Sequence, residues 1–192
     1  MGKKYQAIVI GTSKGGPEAL EKILSALPAD FHFPIVIVLH RNRASKEGME
    51  KQLVSSCALI VKQAEDKEMV EEGHVYLAPP DYHLLLEDEH SLSLSADEKI
   101  NFSRPSIDVL FESAADAYGE NLIGILLTGA NSDGAHGLKQ IQESGGFTIV
   151  QDPKEAIASA MPMAALKCFT PDEIMSLQEI GKFLLGLTND KT

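Results

Sequence analysis

The chain has 192 residues, 44% of them hydrophobic and 23% charged, the composition of a soluble globular protein long enough for one sizeable core. Its 28 acidic side chains against 17 basic ones give a formal net charge of -11, which argues against nucleic acid or an anionic membrane surface as the main partner, because both need a basic footprint. The one local basic cluster, Arg41, Arg43 and Lys46, reads as solvated charge. Two cysteines, Cys57 and Cys168, lie far apart with no CxxC neighbour, so neither a disulfide scaffold nor thiolate metal binding is expected. No signal-peptide core follows Met1-Gly2-Lys3-Lys4, and no apolar run approaches the roughly 18 residues of a membrane span. A cytoplasmic protein without membrane insertion is expected.

Strand and helix signals alternate along the chain. Tyr5–Ile10 is an unbroken apolar, β-prone run and predicts a buried strand. Pro17–Ala26 predicts an amphipathic helix, with Leu20, Ile23, Leu24 and Leu27 at helical spacing. Pro34–Leu39 is a second buried strand ending at His40, Lys46–Ser56 a helix and Leu59–Val61 a short strand. His74–Ala78 and Tyr82–Glu87 carry strand signals around Pro79-Pro80-Asp81. Leu92 and Leu94 then alternate with serines, which predicts an antiparallel hairpin in this middle region. Ser106–Tyr118 is helical, Leu122–Leu127 a third buried strand, Gly137–Glu143 a helix and Phe147–Val150 a strand, with helices near Met163–Lys167 and over Asp172–Leu187. The expected fold is α/β: a doubly wound, mostly parallel sheet with helices on both faces and a small antiparallel hairpin, forming a single domain over 1–192.

Three polar residues fall just past the ends of the three clearest strands: Ser13, His40 and Asp133. Ligands of open parallel sheets bind at those ends. Ser13 sits in Gly11-Thr12-Ser13-Lys14-Gly15-Gly16, whose Gly-x-Ser-x-Gly spacing fits a nucleophile elbow. Serine, histidine and aspartate are the set for nucleophilic acyl transfer: attack, proton transfer and orientation of the imidazole. Each has a plainer alternative. Ser13 could be structural or could cradle a phosphate, His40 could be a satisfied, partly buried histidine, and Asp133 could be the N-cap of the helix that follows it. The loop lacks a P-loop's Gly-Lys-Ser/Thr ending and contains no G-x-G-x-x-G. The six histidines show no helical ligand spacing, so no metal and no cofactor is expected.

At these residues the sequence resembles the catalytic (C-terminal) domain of CheB-type protein-glutamate methylesterases. The matching segments are Ile10–Gly16, Val38-Leu39-His40, Val75–Pro79 with His83, Arg104–Phe111, Leu126–Gly129 with Asp133-Gly134-Ala135 and Gly137, and Met161-Pro162. They occur in order and cover nearly the whole chain. The resemblance implies a serine esterase that hydrolyses glutamate γ-methyl esters on the cytoplasmic helices of methyl-accepting chemotaxis receptors, releasing methanol, with receptor glutamine deamidation in related domains. It implies Ser13 as nucleophile, His40 as base and Asp133 as its orienting carboxylate, with backbone amides at Lys14 and Ala130 stabilising the oxyanion. Lys14, Ala130 and Asn131-Ser132 depart from the family's usual residues. The receiver domain that often precedes such domains is absent from this sequence, which leaves constitutive access, a separate regulatory protein, or a fragment as alternatives. Retention of the fold as a non-hydrolytic receptor- or signalling-binding module is the other functional reading.

Overall fold

A computed structural model describes residues 5–40 and 53–190. Seven strands are β1 (Ala7–Thr12), β2 (Ile35–Leu39), β3 (Ile60–Gln63), β4 (His74–Leu77), β7 (Leu122–Leu126), β8 (Phe147–Gln151) and β9 (Glu173–Met175). They form one sheet in the order β3-β4-β2-β1-β7-β8-β9, and every neighbouring pair is parallel. Strands β5 (His83–Leu86) and β6 (Leu92–Ser95) form a separate antiparallel pair. The helices are α1 (Gly16–Leu24), α2 (Ile107–Tyr118), α3 (Ala135–Glu143), α4 (Ala160–Cys168) and α5 (Leu177–Gly186).

The central strands β1, β2 and β7 are buried along their whole length, as strands covered on both faces must be. Their side chains divide by strand period. Ile8 and Ile10 join Leu20, Ile23 and Leu24 of α1 and Ile180 and Leu184 of α5. Ala7 and Val9 join Leu110 and Phe111 of α2, Leu138 and Ile141 of α3 and Met161 of α4. The helix that follows β1 therefore covers one face, and the helix that follows β7 covers the other. With β2 on one side of β1 and β7 on the other, the crevice past the ends of β1 and β7 lies at the topological switch point, where such sheets bind ligands.

The doubly wound sheet and the small hairpin are as the sequence predicts. The hairpin is smaller than the middle region suggested: β4 joins the parallel sheet between β2 and β3, leaving β5 and β6 to pair alone. The helix expected over Asp172–Leu187 is a correction. Glu173–Met175 instead pairs with β8 as an edge strand, and the helix starts only after Ser176, which forms a capping box with Glu179. Backbone pairing to Ile149, Val150 and Gln151 outweighs the local helical pattern. Of the helix expected at Lys46–Ser56, residues 53–56 are helical, and the remainder lies outside the described residues, as do Arg41, Arg43 and Lys46.

Candidate active site

Ser13 follows β1 directly and His40 follows β2. Thr12 and Leu39 are register partners, and the His40 N–H donates to the Thr12 carbonyl at 3.1 Å. Ser13 and His40 are therefore the next pair along two strands spaced about 4.8 Å apart. The turn at Ser13 depends on Gly15, whose φ of 81° lies in the left-handed region and whose hypothetical Cβ would come within 2.7 Å of the Ile157 Cβ. On the other side of Ser13, the loop after β7 is tied to it. The Ser13 N–H and the Thr12 hydroxyl both donate to the Thr128 carbonyl, at 3.0 and 2.8 Å. The Thr128 hydroxyl donates to the Lys14 carbonyl at 2.8 Å and accepts the Ala158 N–H at 2.9 Å. The Thr128 N–H donates to Oε1 of buried Gln151 at 2.8 Å. Thr128 thus fixes the serine turn against two other loops.

His40 Nε2 lies 2.8 Å from Oδ2 of Asp133, whose side chain is fully buried, while the imidazole keeps 13% exposure. Because Asp133 accepts at Nε2, that nitrogen carries the proton and Nδ1 holds the lone pair. The Nδ1 lone pair takes the Asn131 amide at 3.3 Å, and no hydrogen bond joins it to the Ser13 hydroxyl among the described residues. Three further groups converge on Asp133 Oδ1: the Ser106 hydroxyl at 2.9 Å, the Asp108 N–H at 3.2 Å and the Asn101 amide at 3.3 Å. The Ile107 N–H donates to Oδ2 at 2.7 Å. Burial by itself would push the Asp133 carboxyl up, but the hydrogen bonds from His40, Ile107 and Asp108, with the charge that His40 carries when it is protonated, hold it below its usual value.

Asp133 is not the N-cap of its own helix. Gly134, at φ 93°, occupies the N-cap position of α3. Asp133 instead binds the free N–H groups at the start of α2, and Asp108 in the first turn of α2 returns the arrangement. Its Oδ1 accepts the Gly134 and Gly137 N–H groups at 3.0 and 2.8 Å. Each carboxylate caps the other's helix, and the Asn101 amide bridges them, 2.9 Å from Asp108 Oδ2. Burial and the neighbouring Asp133 charge raise the Asp108 carboxyl against the pull of those amides and of His136.

The two other sequence-predicted positions, Lys14 and Ala130, are exposed, Lys14 next to Ser13 in the turn and Ala130 two residues past Thr128. The hydrogen bonds among the described residues leave both backbone N–H groups uncommitted. Sequence reasoning did not single out Thr128, Asn131, Ser106, Asp108 or Asn101 as site residues. Most lie inside the segments that carry the family resemblance, but their partners become visible only when the loops after β7 and before α2 come together.

A doubly wound α/β protein with a buried carboxylate on a strand-end histidine, beside a serine in a tight glycine turn, has the parts of a serine hydrolase. The sequence matches the CheB methylesterase family over residues 8–184. A Leptospira interrogans protein named as a putative protein-glutamate methylesterase/protein-glutamine glutaminase is 49% identical over 183 residues, spanning 95% of both chains. A Pseudomonas putida protein-glutamate methylesterase/protein-glutamine glutaminase of group 1 operon is 36% identical over 184 residues, which are 95% of this chain and 50% of that protein. The crystal structure of the Thermotoga maritima CheB methylesterase catalytic domain superposes with a TM-score of 0.90 at 34% identity, covering 96% of this chain and 99% of that one. The chain belongs to the CheB methylesterase family, and it is a hydrolase.

Proposed function

We propose that this protein hydrolyses glutamate γ-methyl esters on the cytoplasmic helices of chemoreceptors during chemotactic adaptation, acting in the cytoplasm. The observation that carries this reading is the 2.8 Å bond from His40 Nε2 to a caged Asp133, which leaves Nδ1 as the base on the strand next to Ser13. Ser13 Oγ attacks the ester carbonyl as its proton passes to His40 Nδ1. The Lys14 and Ala130 N–H groups receive the oxyanion. The tetrahedral intermediate then collapses, the C–OCH3 bond breaks, and methanol leaves with the imidazolium proton. Water deprotonated by the same nitrogen releases the γ-carboxylate and frees Ser13. The same acyl-enzyme forms from a glutamine side chain with ammonia as the leaving group, which accords with the second activity in the relatives' names.

Asp133 keeps the imidazole in the productive tautomer and stabilises its charged form. The Asn131 amide holds the ring until the serine proton displaces it from Nδ1. The test is methanol release from a methylated receptor cytoplasmic fragment. Wild-type protein is expected to release methanol, and Ser13→Ala to lose at least about a thousandfold of that rate with an unchanged circular dichroism spectrum. Equal rates from the two proteins, or receptor binding without methanol, would refute the reading.

A further inference from the structure

Phe102 is 99% exposed and Ile100 44% exposed, on a turn that touches the buried end of the site. The turn is built around Asn101 and Phe102, whose φ values of 50° and 62° both lie in the left-handed region. Ile100 and Ser103 close it with two backbone hydrogen bonds of 3.2 and 2.8 Å. A two-residue hairpin of this kind favours Asn at the first position and Gly at the second. Asn101 obeys the rule, and its amide reaches both Asp133 and Asp108. Phe102 breaks it, since a bulky side chain at positive φ is unfavourable and here it packs against nothing.

The tip is also braced. Arg104 donates to the Ala96 and Asp97 carbonyls at 2.7 and 2.8 Å. The His83 ring joins the Glu98 carbonyl at 2.9 Å to the Ser106 N–H at 3.2 Å. With the backbone of the turn already braced, only the two side-chain torsions of the phenyl ring are left to order when something covers it, which suits a binding anchor.

We propose that Phe102 is the docking residue for an apolar side chain of the ester-bearing helix, an inference that rests on the function proposed above. Asn101, its neighbour in the turn, reaches Asp133 at 3.3 Å, so the ring stands on a support that is built into the site. Apolar chemistry fits the partner. A chain with net charge -11 gains nothing from long-range attraction to a helix that carries glutamates, so an apolar contact is the complementary way to hold it.

The test compares Phe102→Ala, Phe102→Asn and Phe102→Leu on two substrates, a methylated receptor cytoplasmic fragment and p-nitrophenyl acetate. Phe102→Asn is the decisive variant, because asparagine tolerates the left-handed turn and the lost side chain supports no core. The ratio of receptor to small-ester kcat/KM is expected to fall about tenfold in the Ala and Asn variants, through KM, and to be largely kept by Leu. An unchanged ratio in Phe102→Asn overturns the docking role, as does an equal fall on both substrates, which would mark a disturbance of Asp133 through Asn101. Absence of methanol release by the wild type overturns the substrate reading itself, and the docking with it.

Discussion

Asp133→Asn is the substitution whose consequences follow most directly from the geometry. The carboxylate receives three donors on Oδ1 and two on Oδ2, the latter being His40 Nε2 at 2.8 Å and the Ile107 N–H at 2.7 Å. An asparagine keeps only one acceptor oxygen. Placed at the Oδ1 position it retains three partners, but its NH2 then confronts the Ile107 N–H and turns Nε2 of His40 into an acceptor. The imidazole proton moves to Nδ1, so the ring's lone pair points at the amide and away from Ser13. Placed the other way, the amide confronts the Asp108 N–H instead. Either orientation leaves one buried amide unsatisfied, at about 1–3 kcal/mol, and weakens the remaining charge-assisted bonds. The expected loss of stability is about 3 kcal/mol, read as a lowered urea midpoint at unchanged slope. Loss of the correct tautomer and of imidazolium stabilisation is expected to lower kcat by about 10³–10⁴, or about 4–5.5 kcal/mol of barrier. The assay is steady-state methanol release alongside urea unfolding. A folded Asp133→Asn protein within tenfold of wild-type kcat would refute the role assigned to the carboxylate.

Thr128→Val removes the hydroxyl that joins Lys14 to Ala158 and leaves the Ala158 N–H without its acceptor; a loss of about 2 kcal/mol is expected, with kcat falling more than KM rises. Gly15→Ala places a Cβ within 2.7 Å of Ile157 at a φ of 81°, so a drop of about 1–3 kcal/mol and a displaced serine turn are expected by thermal melting and by the small-ester rate. The acid limb of stability should separate the two buried acids. Asp133 is depressed below the usual 3.8, so its contribution is present above that value and is lost as pH falls through the lower folded value. Asp108 is raised above 3.8, so its contribution is present below that value and is lost as pH rises through the higher folded value. Urea midpoints are expected to converge between wild type and Asp133→Asn on acidification. For Asp108→Asn, the midpoint should gain on wild type as pH rises above 3.8.

The central strands were legible because burial on both faces leaves an unbroken apolar run, as in Ile8-Val9-Ile10 and Ile35-Val36-Ile37-Val38. Strand β9 was not, because Glu173 and Ile174 are exposed at the sheet edge and only pairing with β8 makes them a strand. The same division holds in the site. Ser13, His40 and Asp133 could be picked out because each follows a recognisable strand, and the adjacency of β2, β1 and β7 brings the loops that carry them to one edge of the sheet. Ser106, Asp108 and Asn101 act on Asp133 from 25 to 32 positions away, with α2 and β7 between them, a pairing that no local pattern fixes. Asp133 itself was legible as a helix cap but with the wrong helix. A short spacing to the next helix suggests local capping, whereas Gly134 leaves the carboxylate free to turn toward α2.

That exchange of caps explains how two buried carboxylates share one small space. Adjacent acids ordinarily force one to keep its proton, and a protonated Asp133 would orient no imidazolium. Here each acid lies at the positive end of the other's helix, where free N–H groups and the helix dipole favour negative charge. The Asn101 amide stands between them as a donor to both. The balance is unequal by construction. Asp133 has His40 and four other donors and is held ionised, while Asp108 has no cation in direct contact among the described residues and takes the raised value. Any proton shared by the pair thus resides on Asp108, away from the histidine. Removing the Asn101 amide should bring the two charges into direct opposition, so Asn101→Ala is expected to raise the acid limb of the pH–kcat profile while leaving the alkaline limb in place. An unmoved acid limb would mean that the two helix N-termini suffice on their own.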